Sequence, residues 1–157
     1  MFDIINDPFD YLYKEQYTMI TPYLAVGSLY SHYDEFDLIV NMAYRYDGDG
    51  FLKHQITTTN ENGKMIIRIG IHDTPLEPLY KILPDIIPIL LKALQDNKKI
   101  LIHCQAGMSR SASVAIALLA KYDTLTFTEA LRCVKEKRPI VKPNEGFYKM
   151  VQEYLTF

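Results

Sequence analysis

Cysteine is scarce in this chain: Cys104 and Cys133 are the two present. That excludes a disulfide-stapled fold, and chemistry on a free thiol would need a reducing compartment, so the cytosol, with or without the nucleus, is the expected location. Long apolar runs are also missing. None reaches the roughly 18 residues of a membrane span, so no membrane partner is expected. A surplus of positive charge is lacking as well. The 17 Lys and Arg against 19 Asp and Glu leave a net charge of −2, which offers no basic field to nucleic acid. Any anion must be caught by a local pocket. The first ten residues hold Asp3, Asp7 and Asp10 but no Lys or Arg, unlike a secretory or mitochondrial signal, and Met1-Phe2 does not fit myristoylation.

What is present is an ordinary globular composition, 48% hydrophobic over 157 residues. One domain of this length buries roughly 68–70% of its unfolded-chain surface. Pro8 followed by Phe9, Tyr11, Leu12 and Tyr13 predicts a short N-terminal helix. A strand is expected at Tyr23–Val26, a helix at Tyr30–Phe36 capped by Ser28, and a second strand at Leu38–Met42. Residues 44–50, with Asp47-Gly48 and Asp49-Gly50, form a turn-rich break. Phe51–Thr59 and Lys64–Ile71 flank Asn62-Gly63, a hairpin signal. Leu79–Leu94 carries a helical apolar stripe. Pro84 and Pro88 lie inside it, and an interior proline costs about 3 kcal/mol, which predicts a kink or a true start near Pro84 or Asp85. Helices are also expected at Thr126–Lys137, capped by Thr126 or Thr128, and at Glu145–Tyr154, capped by Asn144.

The most informative stretch is Ile-Leu-Ile-His-Cys-Gln-Ala-Gly-Met-Ser-Arg-Ser, residues 100–111. The apolar run is short enough for a buried strand. Gln105, Ala106, Gly107, Met108 and Ser109 make a tight bend, and Arg110 opens the Ala-rich run to Ala120, which reads as a buried helix. Loop N–H groups and a helix N-terminus together attract an oxyanion. The Arg110 fork can grip two phosphoryl oxygens. At the strand end, Cys104 should ionise easily, and a thiolate beside a phosphate cradle is a nucleophile aimed at phosphorus. Ser111 is placed to donate to the sulfur and make it a better leaving group.

His-Cys, five residues, Arg-Ser resembles the signature of cysteine-based protein phosphatases, and the filling Gln-Ala-Gly-Met-Ser is similar to the dual-specificity branch. Ile-Thr-Pro-Tyr-Leu-Ala-Val-Gly-Ser near the start and Arg-Pro-Ile-Val-Lys-Pro-Asn-Glu-Gly-Phe near the end also resemble that family, so the likeness covers about residues 20–155. It implies an α/β domain over 1–157. Its central mixed sheet would have about five strands, flanked by helices on both faces, with the phosphate loop between a central strand and a helix. A stand-alone catalytic domain, a phosphorylated protein as substrate and no cofactor are implied too.

Phosphoester cleavage needs an acid for the leaving oxygen. Asp73 follows a strong strand, in Ile-His-Asp-Thr-Pro, and the resemblance implies that it is the general acid; a turn-stiffening role is the structural alternative. Asp47 and Asp49 read as solvated turn residues. The resemblance gives His103 the ordering of the loop rather than a role as base, and Asn144 a tie between its helix and the acid or phosphate loop, beside plain capping. His72 next to Asp73 is not joined by a second group at metal-ligand spacing, so no metal is expected. Cys133 is most simply core. Two other readings are weighed. A phosphoinositide substrate would favour Lys in the loop, where Gln105, Ala106 and Met108 supply none; an RNA 5′-phosphate would favour a more basic surface than a net charge of −2; and a non-catalytic phosphoprotein-binding module would not need Cys104, Arg110 and Asp73 together.

Overall fold

The computed structural model describes residues 16–44 and 53–156. Six strands form one sheet: β1 Tyr17–Thr21, β2 Leu24–Gly27, β3 Leu38–Tyr44, β4 Ile56–Glu61, β5 Lys64–Gly70 and β6 Ile100–His103. Four helices are described: α1 Leu79–Gln95, α2 Arg110–Asp123, α3 Phe127–Lys137 and α4 Glu145–Thr156. The sheet order is β1-β2-β6-β3-β5-β4. β6 lies parallel to both β2 and β3, and β3 is parallel to β5, while β1 and β4 close the edges antiparallel. A strand buried on both faces has no polar side to show, and Ile-Leu-Ile at the centre is read correctly as such.

The two faces differ. Leu24, Val26, Val40, Ile67, Ile69, Ile100 and Ile102 point to the larger core, which holds the buried residues of all four helices. Ala25, Ile39, Ile66 and Leu101 alternate to the other face, where Phe36, Tyr17, Met19 and Tyr33 cover them. The mixed α/β sheet is as expected, with six strands. Helices on both faces are not seen among the described residues; the N-terminal helix expected around residues 9–13 and the break at 45–50 lie outside them.

Three local expectations are corrected. Residues 28–37 form turns, not a helix. Ser28 Oγ accepts from Tyr30 N–H, Ser31 Oγ donates to Ser28 O and Gln16 O, and Phe36 anchors the segment in the second core. These local side-chain bonds compete with helical ones. The strand expected at Tyr23–Val26 is present as β2, but it is not alone: β1, Tyr17–Thr21, pairs antiparallel with it and was not expected. α1 starts at Leu79, ahead of both prolines, not near Pro84. Pro84 and Pro88 both fall on its exposed face, so the carbonyls they leave unpaired, on Tyr80 and Pro84, are on the solvent side. The buried face, Ile82, Leu83, Ile86, Ile87 and Leu90, stays intact. At α3, Thr126 rather than Thr128 is the cap, in a capping box with Glu129.

Candidate active site

Three segments leave neighbouring strands at their carboxyl ends, where open α/β sheets bind ligands. Gly27 of β2 and Asn41 of β3 both register with His103 of β6, and β5 ends at Gly70. The 28–31 turn, the 104–109 loop and the 71–78 loop therefore meet.

In the 104–109 loop, the carbonyls from Gln105 to Ser109 are all engaged by donors outside it. Gln105 O accepts from Leu29 N–H (3.1 Å), and Met108 O from Lys142 N–H (2.8 Å). Ala106 O and Gly107 O accept from Arg138 Nη2 (3.1 Å) and Nε (2.9 Å). Ser109 O accepts from Ser113 N–H (2.8 Å) and Oγ (2.6 Å). In a trans peptide the C=O of one residue and the N–H of the next point in opposite directions. Turning these carbonyls outward turns the N–H groups of residues 106–110 inward, into a nest for an anion. Gly107 makes the bend possible. Its φ is +67°, and a Cβ there would lie 2.6 Å from Gly27 O and 2.7 Å from Arg138 Nη2.

Cys104 Sγ lies 3.1 Å from Ser111 Oγ at the floor of this nest. Burial alone would push the thiol up. The Ser111 hydroxyl and N–H, the Arg110 charge and the Met108 N–H outweigh it, and the thiol falls below its ordinary value. Arg110 is buried, with Nη1 donating to Ile71 O at 3.0 Å. Its Nε is buried with no acceptor among the described residues, a demand that an oxyanion would satisfy. Behind the loop, His103 Nε2 meets Tyr33 Oη at 2.6 Å. Burial drives this imidazole down to about 4, against a weaker upward pull from the Cys104 backbone, so it is neutral near pH 7. A neutral ring, one nitrogen donor and the other acceptor, suits ordering of the loop by hydrogen bonding. Gln105 is exposed, and Ala106 and Met108 are half-buried at the rim.

Asp73 is exposed on the 71–78 loop. Its Oδ1 accepts from Asn144 Nδ2 at 2.8 Å. Asn144 also caps α4, its Oδ1 accepting from Phe147 N–H at 2.9 Å, and its own N–H donates to Ser109 Oγ at 2.9 Å. One residue thus joins helix, phosphate loop and acid loop, so capping and tying are both real. Gly146, in the first turn of α4, lets the Pro75 carbonyl close onto the helix where any Cβ would collide.

The sequence reading gave Arg138 no part in the site. It is fully buried, and besides two loop carbonyls it donates from Nη1 to Thr18 Oγ1 at 2.8 Å. Glu77 was missed too. Its Oε1 accepts from His72 N–H (2.9 Å), and its Oε2 is 3.0 Å from His54 Nε2. A charged residue embedded in Arg-Pro-Ile-Val was a usable signal for the first; nothing local marks the second. Cys133 is exposed on α3, not core as expected.

The model of the family described as "Dual specificity phosphatase, catalytic domain" matches residues 23–157. The chain is 31% identical over 144 residues to tyrosine-protein phosphatase vhp-1 of Caenorhabditis elegans, covering 87% of this chain and 21% of that protein. It is 31% identical over 146 residues to mouse dual specificity protein phosphatase 19, covering 88% of this chain and 62% of the mouse protein. It therefore spans less than two thirds of either relative. Among solved structures, human DUSP28 superposes with a TM-score of 0.75 at 25% identity, over 90% of this chain and 93% of that one.

Proposed function

Because this chain belongs to the dual specificity phosphatase family and carries that family's protein phosphatase catalytic domain, we propose that it hydrolyses phosphotyrosine and phosphoserine or phosphothreonine in proteins through a phosphocysteine intermediate. The observation that carries this reading is the outward capture of the loop carbonyls, which aims a ring of N–H groups at the space above Cys104. In the first step the Cys104 thiolate attacks phosphorus, the S–P bond forms and the P–O bond to the substrate breaks. Asp73 gives its proton to the leaving oxygen while Arg110 and the loop amides hold the phosphoryl oxygens. In the second step water attacks phosphorus, its proton passes to Asp73, and the sulfur leaves as a thiolate steadied by Ser111. Inorganic phosphate departs and the enzyme is regenerated. Reliance on a thiolate supports a reducing compartment, the cytosol or nucleus, as the proposed site of action.

Two intact features, the Cys104 thiol held below its ordinary pKa with Ser111 beside it and the Asp73 loop, favour turnover over passive binding of phosphoproteins. Cys104→Ser is expected to lower kcat on 4-nitrophenyl phosphate by at least about 10⁴-fold while inorganic phosphate still binds. Equal turnover by parent and variant would overturn the mechanism. Doubly phosphorylated peptides assayed against phosphoinositide and 5′-triphosphorylated RNA test the substrate class, with the peptides expected to be preferred.

A further inference from the structure

The 71–78 loop is exposed at Asp73, Thr74, Pro75 and Leu76, yet it contains a buried carboxylate, Glu77. Burying a carboxylate is costly unless its oxygens are hydrogen-bonded, and both are: Oε1 by His72 N–H at 2.9 Å, Oε2 by His54 Nε2 at 3.0 Å. The His72 N–H belongs to the peptide unit whose other end, Ile71 O, accepts from Arg110 Nη1 at 3.0 Å. One peptide plane, directly ahead of Asp73, is therefore gripped on one side by the phosphate-binding arginine and on the other by Glu77. The base of the grip is firm. His54 N–H donates to Gly70 O at 2.8 Å, Gly70 N–H donates to Gln55 O at 3.2 Å, and Lys53 bridges to Gly70. His54 holds φ +53°, in the left-handed region where histidine is among the few enriched non-glycine residues.

We propose that Glu77, braced by His54, is a positioning residue for the general acid: it fixes the Ile71–His72 peptide plane so that Asp73 stands in place before substrate arrives. The proposal rests on Asp73 being the acid. It gives a role to a carboxylate that touches neither the sulfur nor the phosphoryl group, and it explains how an exposed loop can present a carboxyl group without closing as a lid. The partner that fixes it, His54, comes from a segment outside the two loops that do the chemistry.

The dependence of rate on the leaving group tests this, because an acid matters most when the leaving oxygen is basic. Phenyl phosphate has a poor leaving group and 4-nitrophenyl phosphate a good one. Glu77→Ala is expected to lower kcat/KM on phenyl phosphate about 30-fold and on 4-nitrophenyl phosphate by no more than about 3-fold. Glu77→Gln, which keeps an acceptor for the His72 N–H, should recover most of that loss. His54→Asn tolerates the positive φ but cannot reach Glu77, and should show a smaller selective loss of about 5-fold; it carries the test if Glu77→Ala does not fold. Equal losses on both substrates, or none, would overturn the proposal. Asp73→Asn run in parallel separates the two ideas. If it shows the selective loss and the Glu77 and His54 variants do not, the positioning role alone falls. If Asp73→Asn shows no selectivity, the acid assignment falls and the positioning role falls with it.

Discussion

The two loops that meet over Cys104 are built in opposite ways. The phosphate loop is mostly buried, and its carbonyls from Gln105 to Ser109 are tied down by the 28–31 turn, Arg138, Lys142 and Ser113. The acid loop is exposed at its tip and held at a few points: Asn144 on Asp73, Glu77 on His72, Arg110 on Ile71 and α4 against Pro75. The difference fits the tasks proposed for them. Amides that stabilise charge developing on a phosphoryl group lose their value if they must reorient during the reaction, so they are fixed in advance. A proton donor must instead trade protons with water in every turnover, which requires exposure.

Asp73→Asn challenges that contrast most directly. It should lower kcat on phenyl phosphate about 10²-fold and leave Cys104 alkylation unchanged. Arg138→Met attacks the other loop from behind. Freed of their donors, the Ala106 and Gly107 peptides can turn, and the Cys104 pKa should rise. The acid limb of activity and the pH dependence of iodoacetamide alkylation would both move upward, with stability reduced by about 2–4 kcal/mol. If the alkylation profile does not move, the outward carbonyls are not what tunes the sulfur.

The smallest effect concerns His103. In the folded chain its pKa is depressed to about 4 against 6.5 when unfolded, so on acidification the unfolded state takes up a proton that the folded state refuses. Stability should be unaffected by this group well above pH 6.5 and fall by about 3 kcal/mol as pH drops from about 6.5 towards 4. Urea titrations at pH 7 and pH 4.5 should give midpoints that lie closer together in His103→Gln than in the parent.

These comparisons also explain what could be read from the sequence. The thiol, the arginine and the loop between them are contiguous, and their strand and helix flanks are set by apolar patterning over a few residues, so residues 100–111 were legible. Asp73 was reachable because it follows a strong strand. Arg138 left a usable signal, a charge inside Arg-Pro-Ile-Val, but not its target, because the carbonyls that it holds are some thirty residues away; Glu77 and Gly146 left none, because a bond to a backbone N–H and a close surface fit leave no periodicity behind. The turn at 28–37 was misread for a related reason: Phe36 belongs to a second, smaller core whose existence depends on the sheet having two covered faces.

The scattered origins of the donors that hold the phosphate loop have a consequence for its portability. Transplanting His103–Ser111 between a strand and a helix of another scaffold would carry over every letter of the signature and little of its stereochemistry. The recipient would also have to furnish an arginine, a turn amide and an extended segment at matching heights, each anchored in its own framework.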